Sequence, residues 1–228
     1  MKKNKIFIAC DTQNTKKIHQ IIKQTQTEEI KIGYKFGLEF FYSKHGRSFI
    51  KKLKKKLVFL DLKLNDIPNT CGAAIDSIKD IKNIKYITAH INGGSSMLKM
   101  IKKRSGKIKI LGVTLLTSLD DKSIKQIGHT KRVKDIVIKQ AKLAKISKLD
   151  GIVCSSKEVP YIKKICKNME IVVPGIRFSK NNYNDQKRVT NPKKAFDCGA
   201  NSLVIGRSIT RGNISKNFEK LIKQLSLK

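Results

Sequence analysis

The stretch Leu57–Thr70 reads LVFLDLKLNDIPNT. As an extended run, Leu57–Leu64 alternates faces with a period of two, so Asp61 and Lys63 share one face and Leu60, Leu62 and Leu64 the other. Asn65 and Pro68 break the strand, and Asp66 falls in the loop between them. On a wet strand, Asp-x-Lys is ordinarily an ion pair and nothing more. Here the preceding run is apolar and the charges gather at the strand's C-terminal end. The chain has only 17 acidic residues, yet two of them flank one lysine within six positions. That density reads as a site.

Working outward, the chain alternates strand-like and helix-like segments with short connections. Strand-like runs fall at Ile6–Asp11, Ile30–Phe36, Leu57–Leu64, Tyr86–Ile91, Ile108–Leu116, Gly151–Ser155, Ile171–Ile176 and Ser202–Ile209. Most are continuous Val/Ile/Leu runs, as strands buried on both faces of a parallel sheet require. Between them, Lys131–Lys148 places Val133, Ile136, Val137, Gln140, Ala141 and Ala144 at helical spacing, and Phe218, Leu221, Ile222 and Leu225 repeat the pattern. Asn191 before Pro192 reads as a helix cap, and so does Ser215. Eight such units in 228 residues predict a single-domain α/β fold, a (β/α)8 barrel spanning residues 1–228. An open doubly wound sheet is the alternative, but no GxGxxG turn follows the first strand.

A barrel carries its chemistry at the strand C-termini. Those ends supply Asp11, Lys35, then Asp61, Lys63 and Asp66, then His90 with Asn92-Gly93-Gly94, and then Thr114 and Leu116-Thr117-Ser118. The last two strands run into Pro174-Gly175-Ile176-Arg177 and Gly206-Arg207. Lysines and aspartates thus gather at one part of the mouth and arginines at another, a reacting end and a phosphate end. Backbone N–H groups at Gly175 and Gly206 would approach phosphate oxygens closely, with charge from Arg207. Singly, Gly206 also reads as a tight turn, Gly175 as a strand terminator, Arg177 as a solvated loop charge and Asp185-Gln186 as surface. His90 reads as a hydrogen-bonded core histidine and Asn92–Gly94 as a turn into the next helix.

Composition narrows the function classes. No apolar run approaches a membrane span, and MKKNKIFIACD lacks the apolar region and cleavage site of a signal peptide. Five cysteines without a CxxC pair and four histidines without ligand spacing predict a reduced, cytoplasmic protein with no metal and no cofactor. The net charge of +33 raises a nucleic-acid reading, but the lysines spread over nearly every helical segment and form no basic domain or tail. The expectation is no nucleic-acid partner, with a general field that attracts phosphate esters.

Along nearly its whole length the chain resembles the bacterial orotidine 5'-phosphate decarboxylase family. The most specific match is Asp61-Leu62-Lys63-Leu64-Asn65-Asp66-Ile67-Pro68-Asn69-Thr70. Asp11, Lys35 in GYKFGLEFF, His90 in TAHINGG, Leu116-Thr117-Ser118, VVPGIR, DQKRV and LVIGRSIT support it. Two departures stand out. Cys10 replaces a more usual leucine, and the segment from Phe178 to Asp185 lacks the glycine often found there.

The resemblance implies decarboxylation of orotidine 5'-phosphate to UMP, without metal or cofactor, in a homodimer. It assigns ribose contacts to Asp11 and Lys35, the reacting carbon to Asp61 and Lys63, and proton donation to Lys63. It sends Asp66 and Thr70 toward the neighbouring subunit's site, counts Ile67 among the substrate-binding residues and puts Thr117 near the pyrimidine. It gives phosphate binding to Arg177, Gln186, Gly206 and Arg207. A related sugar-phosphate decarboxylase or synthase on the same barrel is the alternative reading, since D-x-K-x-x-D occurs there too.

Overall fold

The computed structural model describes residues 4–178 and 189–226. Its eight parallel strands are β1 (Lys5–Ala9), β2 (Lys31–Gly37), β3 (Val58–Leu64), β4 (Ile84–His90), β5 (Lys109–Val113), β6 (Gly151–Val153), β7 (Glu170–Val173) and β8 (Ser202–Ile205). They pair in sequence order, and β8 returns to β1 to close the barrel. The open-sheet alternative is thereby excluded.

The period of two explains why these strands look apolar throughout. On β1, Ile6 and Ile8 face the helices in the outer core, while Phe7 faces inward. Inside, Phe7, Phe59, Tyr86, Leu111 and Val172 form a separate packed layer. The rings of Phe59 and Tyr86 meet Phe7 edge-on, with centroids 5.1 and 5.2 Å away, a favoured aromatic geometry. Gly33 pairs with Phe7 across β1–β2, and a Cβ there would lie 2.7 Å from the Phe7 ring. Only glycine leaves that ring its place.

Below this layer sits a polar plug. Glu170, at the start of β7, accepts from Lys5 Nζ at 2.6 Å, Ser202 Oγ at 2.7 Å and Tyr86 Oη at 3.1 Å. The barrel interior is therefore a packed core, plugged by charge toward its N-terminal end, with its mouth at the other end.

Several strands stop short of their expected ends: β1 at Ala9, β5 at Val113, β7 at Val173 and β8 at Ile205. Beyond those residues the chain leaves the ladder to form the mouth, and Arg207–Thr210 is a turn of helix rather than strand. The helix Val133–Ile146 buries Ile136, Val137, Gln140, Ala141 and Ala144, as its spacing predicts. Asn191 caps its helix through Lys194 N at 2.7 Å. The last helix, Ile214–Ser226, is capped by Asn213, whose Oδ1 accepts from Lys216 N. Ser215 lies inside that helix and not at its cap, because Ile214 is needed in the core. Among the described residues no helix is long and apolar enough to cross a membrane.

Candidate active site

The mouth is built from the ends of the inward-facing series. Asp11 follows β1, Lys35 stands on β2, and Asp61 and Lys63 on β3. Their side chains form one alternating line. Lys35 Nζ lies 3.0 Å from Asp11 Oδ1 and 3.5 Å from Asp61 Oδ2, and Lys63 Nζ lies 3.0 Å from Asp61 Oδ1. Lys35 is 7% exposed. Burial opposes its ammonium, but the carboxylates of Asp61 and Asp11 outweigh that and hold its pKa above the ordinary lysine value. Burial likewise opposes the Asp61 carboxylate, and Lys35 and Lys63 outweigh it, so its pKa lies below the usual range. Both groups are charged because the other is there.

Asp61 and Lys63 do point the same way, but the strand between them is not regular. The β3–β4 register shifts between Leu60 and Leu64, and Lys63 adopts a left-handed φ of 50°. A non-glycine residue holds that conformation only when its surroundings compensate. The compensation comes from Thr88 on β4. Its Oγ1 accepts from Lys63 N at 2.9 Å and donates to Asp61 Oδ1 at 3.0 Å. Thr88 is fully buried. It thus fixes the backbone under the lysine and one oxygen of the aspartate together. In the sequence Thr88 carries no such signal, because a threonine inside TAHINGG reads as an ordinary strand former.

Two cavities meet at Asp61. One, of about 430 Å³, is bounded by Asp11, Lys35, Gly175, Arg177, Gly206 and Arg207. The other, of about 410 Å³, holds Lys63, Thr117 and Ser118 against Leu115, Val113 and Phe59. The first is cationic at its far end and the second largely apolar, so together they suit a ligand with one anionic end and one less polar end. Arg177 is not a solvated loop charge: it is 7% exposed and donates from Nη1 to the Ile176 carbonyl at 2.9 Å. Gly175 takes a φ of 75°, where a side chain would be strained. A Cβ on Gly206 would sit 3.8 Å from Asp11 Oδ2, projecting into the cavity. Lys17, Thr210 and Arg211 also bound this cavity. Thr210 ends the LVIGRSIT segment, but no motif marks Lys17 or Arg211, since one more lysine or arginine carries no signal in so basic a chain.

His90 differs from its expected role. It is half-buried, and its side chain makes no hydrogen bond to the described residues. Burial and the neighbouring Lys63 ammonium hold its pKa below the usual histidine value, against the opposing pull of Asp61. Asn92–Gly93 does form the turn into the next helix, with Asn92 Oδ1 accepting from Gln140 at 2.7 Å. Asp66 and Thr70 are exposed and stand outside their own barrel's charge line. Asp66 Oδ1 accepts from Ile67 N at 2.7 Å, and Ile67 is 67% exposed. Gln186 lies outside the described residues. Among the described residues no three His, Cys, Asp or Glu side chains gather as a metal site.

A closed (β/α)8 barrel with an Asp-Lys-Asp-Lys line and an arginine-bearing cavity at its C-terminal mouth has the architecture of a barrel enzyme. Comparison with known proteins narrows the class. Residues 4–217 match the profile of the orotidine 5'-phosphate decarboxylase / HUMPS family. An orotidine 5'-phosphate decarboxylase of Wolbachia sp. subsp. Brugia malayi (strain TRS) is 42% identical, over 98% of this chain and 100% of the relative. One from Bacillus cereus (strain 03BB102) is 38% identical, over 96% of this chain and 95% of the relative. The crystal structure of orotidine 5'-phosphate decarboxylase from Lactobacillus acidophilus superposes with a TM-score of 0.83 at 30% identity, covering 98% and 99% of the two chains. The chain belongs to the orotidine 5'-phosphate decarboxylase / HUMPS family.

Proposed function

We propose that this protein removes CO2 from orotidine 5'-phosphate to give UMP, the last step of de novo pyrimidine nucleotide synthesis. The observation that carries the reading is the charge line Asp11–Lys35–Asp61–Lys63, set where the cationic cavity meets the apolar one. Phosphate sits against Arg177, Gly206 and Arg207. The ribose hydroxyls face Asp11 and Lys35, and the pyrimidine enters the cavity beside Thr117. Carbon 6 then lies over Asp61 and Lys63.

Loss of CO2 leaves a negative charge on carbon 6. Lys63, already fixed in place, stabilises that charge and then delivers a proton to it. Preorganised charges in a water-poor site act far more strongly than in bulk water, because nothing need reorient as the charge develops. Asp61 stands beside the departing carboxylate, and loss of CO2 relieves that like-charge contact. Binding at the phosphate, remote from the reacting carbon, supplies free energy that holds the ring in this arrangement.

The exposed Asp66, Ile67 and Thr70 support the homodimer. In it, each loop reaches the partner's mouth, as a two-fold interface requires of both subunits. Leu38 and Tyr42, 48% and 75% exposed at the same end, would be covered with them.

The test is the fall in orotidylate absorbance on adding purified protein, with and without a chelator. The expected result is turnover that a chelator leaves unchanged. Absence of orotidylate turnover, together with activity on a hexulose phosphate, would instead select the sugar-phosphate reading.

A further inference from the structure

The end of the barrel opposite the mouth carries a second concavity, of about 850 Å³, roughly twice either lobe of the mouth. Nine of its thirteen lining residues are lysines, and Asp80 is the single acid. In sequence these lysines are scattered. The fold gathers them because most stand at or just before the N-terminal ends of β2, β4 and β5, or on the turn leading into β3.

The acid available there is already engaged. Asp80 binds Arg47 at 2.6 Å and Lys51 at 2.9 Å. Glu170, beneath the cleft, is taken by Lys5 at 2.6 Å, with Lys109 at 3.6 Å. The other seven lining lysines form no ion pair among the described residues. Lys55 is held at a left-handed φ of 61° in the middle of the Lys54–Lys56 run. So many unpaired ammonium groups around one depression repel one another and concentrate positive potential in it.

We infer that this cleft binds a linear phosphate chain, the phosphoanhydride of polyphosphate or the phosphodiester backbone of a single-stranded nucleic acid. A single phosphate leaves most of seven cations uncompensated, whereas a chain carries a charge on every unit. The lining favours phosphates over bases. No arginine fork lines the cleft to read a base edge. Its one aromatic, Tyr86, is 4% exposed with its hydroxyl committed to Lys5 and Glu170, which leaves no stacking platform. Lysines serve phosphate as point charges without regard to sequence.

The test compares the wild-type protein with two variants that each lose four positive charges. The cleft variant carries Lys54→Gln, Lys55→Gln, Lys56→Gln and Lys82→Gln. The control carries Lys125→Gln, Lys139→Gln, Lys142→Gln and Lys145→Gln, all away from the cleft. Binding of labelled linear polyphosphate, of labelled oligouridylate and of phosphatidylserine–phosphatidylcholine vesicles is measured over a salt series. Each phosphate contact contributes about −0.7 to the slope of log affinity against log salt for a single strand. The cleft variant should therefore lose about 3 from that slope and weaken chain binding more than about tenfold at moderate salt, while the control loses little.

Preference for one chain over the other identifies the source, and equal binding assigns recognition to the phosphates alone. Three results would overturn the inference: no chain bound by the wild type, equal losses in both variants, or binding to vesicles only. Because the readout is binding at the far end of the barrel, it stands or falls independently of orotidylate turnover.

Discussion

Thr88→Val removes one hydroxyl and keeps the side chain's shape. In the wild type that hydroxyl accepts from Lys63 N at 2.9 Å and donates to Asp61 Oδ1 at 3.0 Å, with no exposure to water. A neutral hydrogen bond contributes about 1 kcal/mol net, and one to a charged group about 1.5–3 kcal/mol. The variant therefore loses about 2.5–4 kcal/mol of interaction, divided between folding and the reacting geometry. If about half reaches the transition state, kcat falls about tenfold to thirtyfold, since 1.36 kcal/mol is a factor of ten. The other half lowers the melting temperature by about 3–8 °C at this chain length. Substrate affinity set at the phosphate end should change little, so kcat falls while KM holds.

The pH profile gives an independent check. Asp61 titrates below its ordinary value, against the opposing effect of burial, through Lys35, Lys63 and the Thr88 hydrogen bond. Removing Thr88's contribution raises that pKa. The stability that ionised Asp61 contributes is present above its unfolded value and is lost as pH falls through the folded one. The acid limb of activity should accordingly begin at a higher pH in the variant. Thr88→Ser, which keeps the hydroxyl, should restore both kcat and the acid limb. Steady-state kinetics from about pH 4 to 9 on all three proteins is the assay. A Val variant with wild-type kcat and an unmoved acid limb would refute the positioning role, and so would a Ser variant as impaired as Val.

Arg207→Ala should weaken UMP binding about tenfold or more and leave uridine binding nearly unchanged. Calorimetry with both ligands checks this, and equal losses would remove Arg207 from the phosphate. Glu170→Gln leaves the half-buried Lys5 beside a neutral amide and should cost on the order of 2 kcal/mol of stability. Burial raises the Glu170 pKa, but Lys5 and Ser202 outweigh it and hold it low. Its contribution is therefore present above the ordinary glutamate range and lost on acidification, so wild-type and variant melting curves should converge as pH falls below about 4. Lys63→Ala and Asp66→Ala proteins, each inactive alone, should recover about a quarter of wild-type activity after subunit exchange, because half the dimers then carry one intact site. Demonstrated exchange without recovery would place Asp66 in its own subunit's site.

Residues whose meaning depends on one strand were legible in the sequence, and those whose meaning depends on two were not. The barrel could be read because each strand buries both faces, which leaves its run apolar at successive positions: Ile6 and Ile8 serve the helices while Phe7 serves the interior. Asp11, Lys35, Asp61 and Lys63 could be read because strand C-termini in a barrel share one mouth. The left-handed turn at Lys63 left no trace, since Leu60–Leu64 alternates as regularly as any flat strand. What makes that turn tenable is Thr88, which stands 25 residues away and on another strand. The basic cleft follows the same logic at larger scale, with lysines from separate segments meeting only once the sheet closes. Asp66 goes one step further. It is exposed beside Ile67 on its own barrel, so its proposed partner group lies on a second copy of the chain. The charge line itself is complete within one subunit, and this is why the mixing experiment can separate a defect in Lys63 from a defect in Asp66.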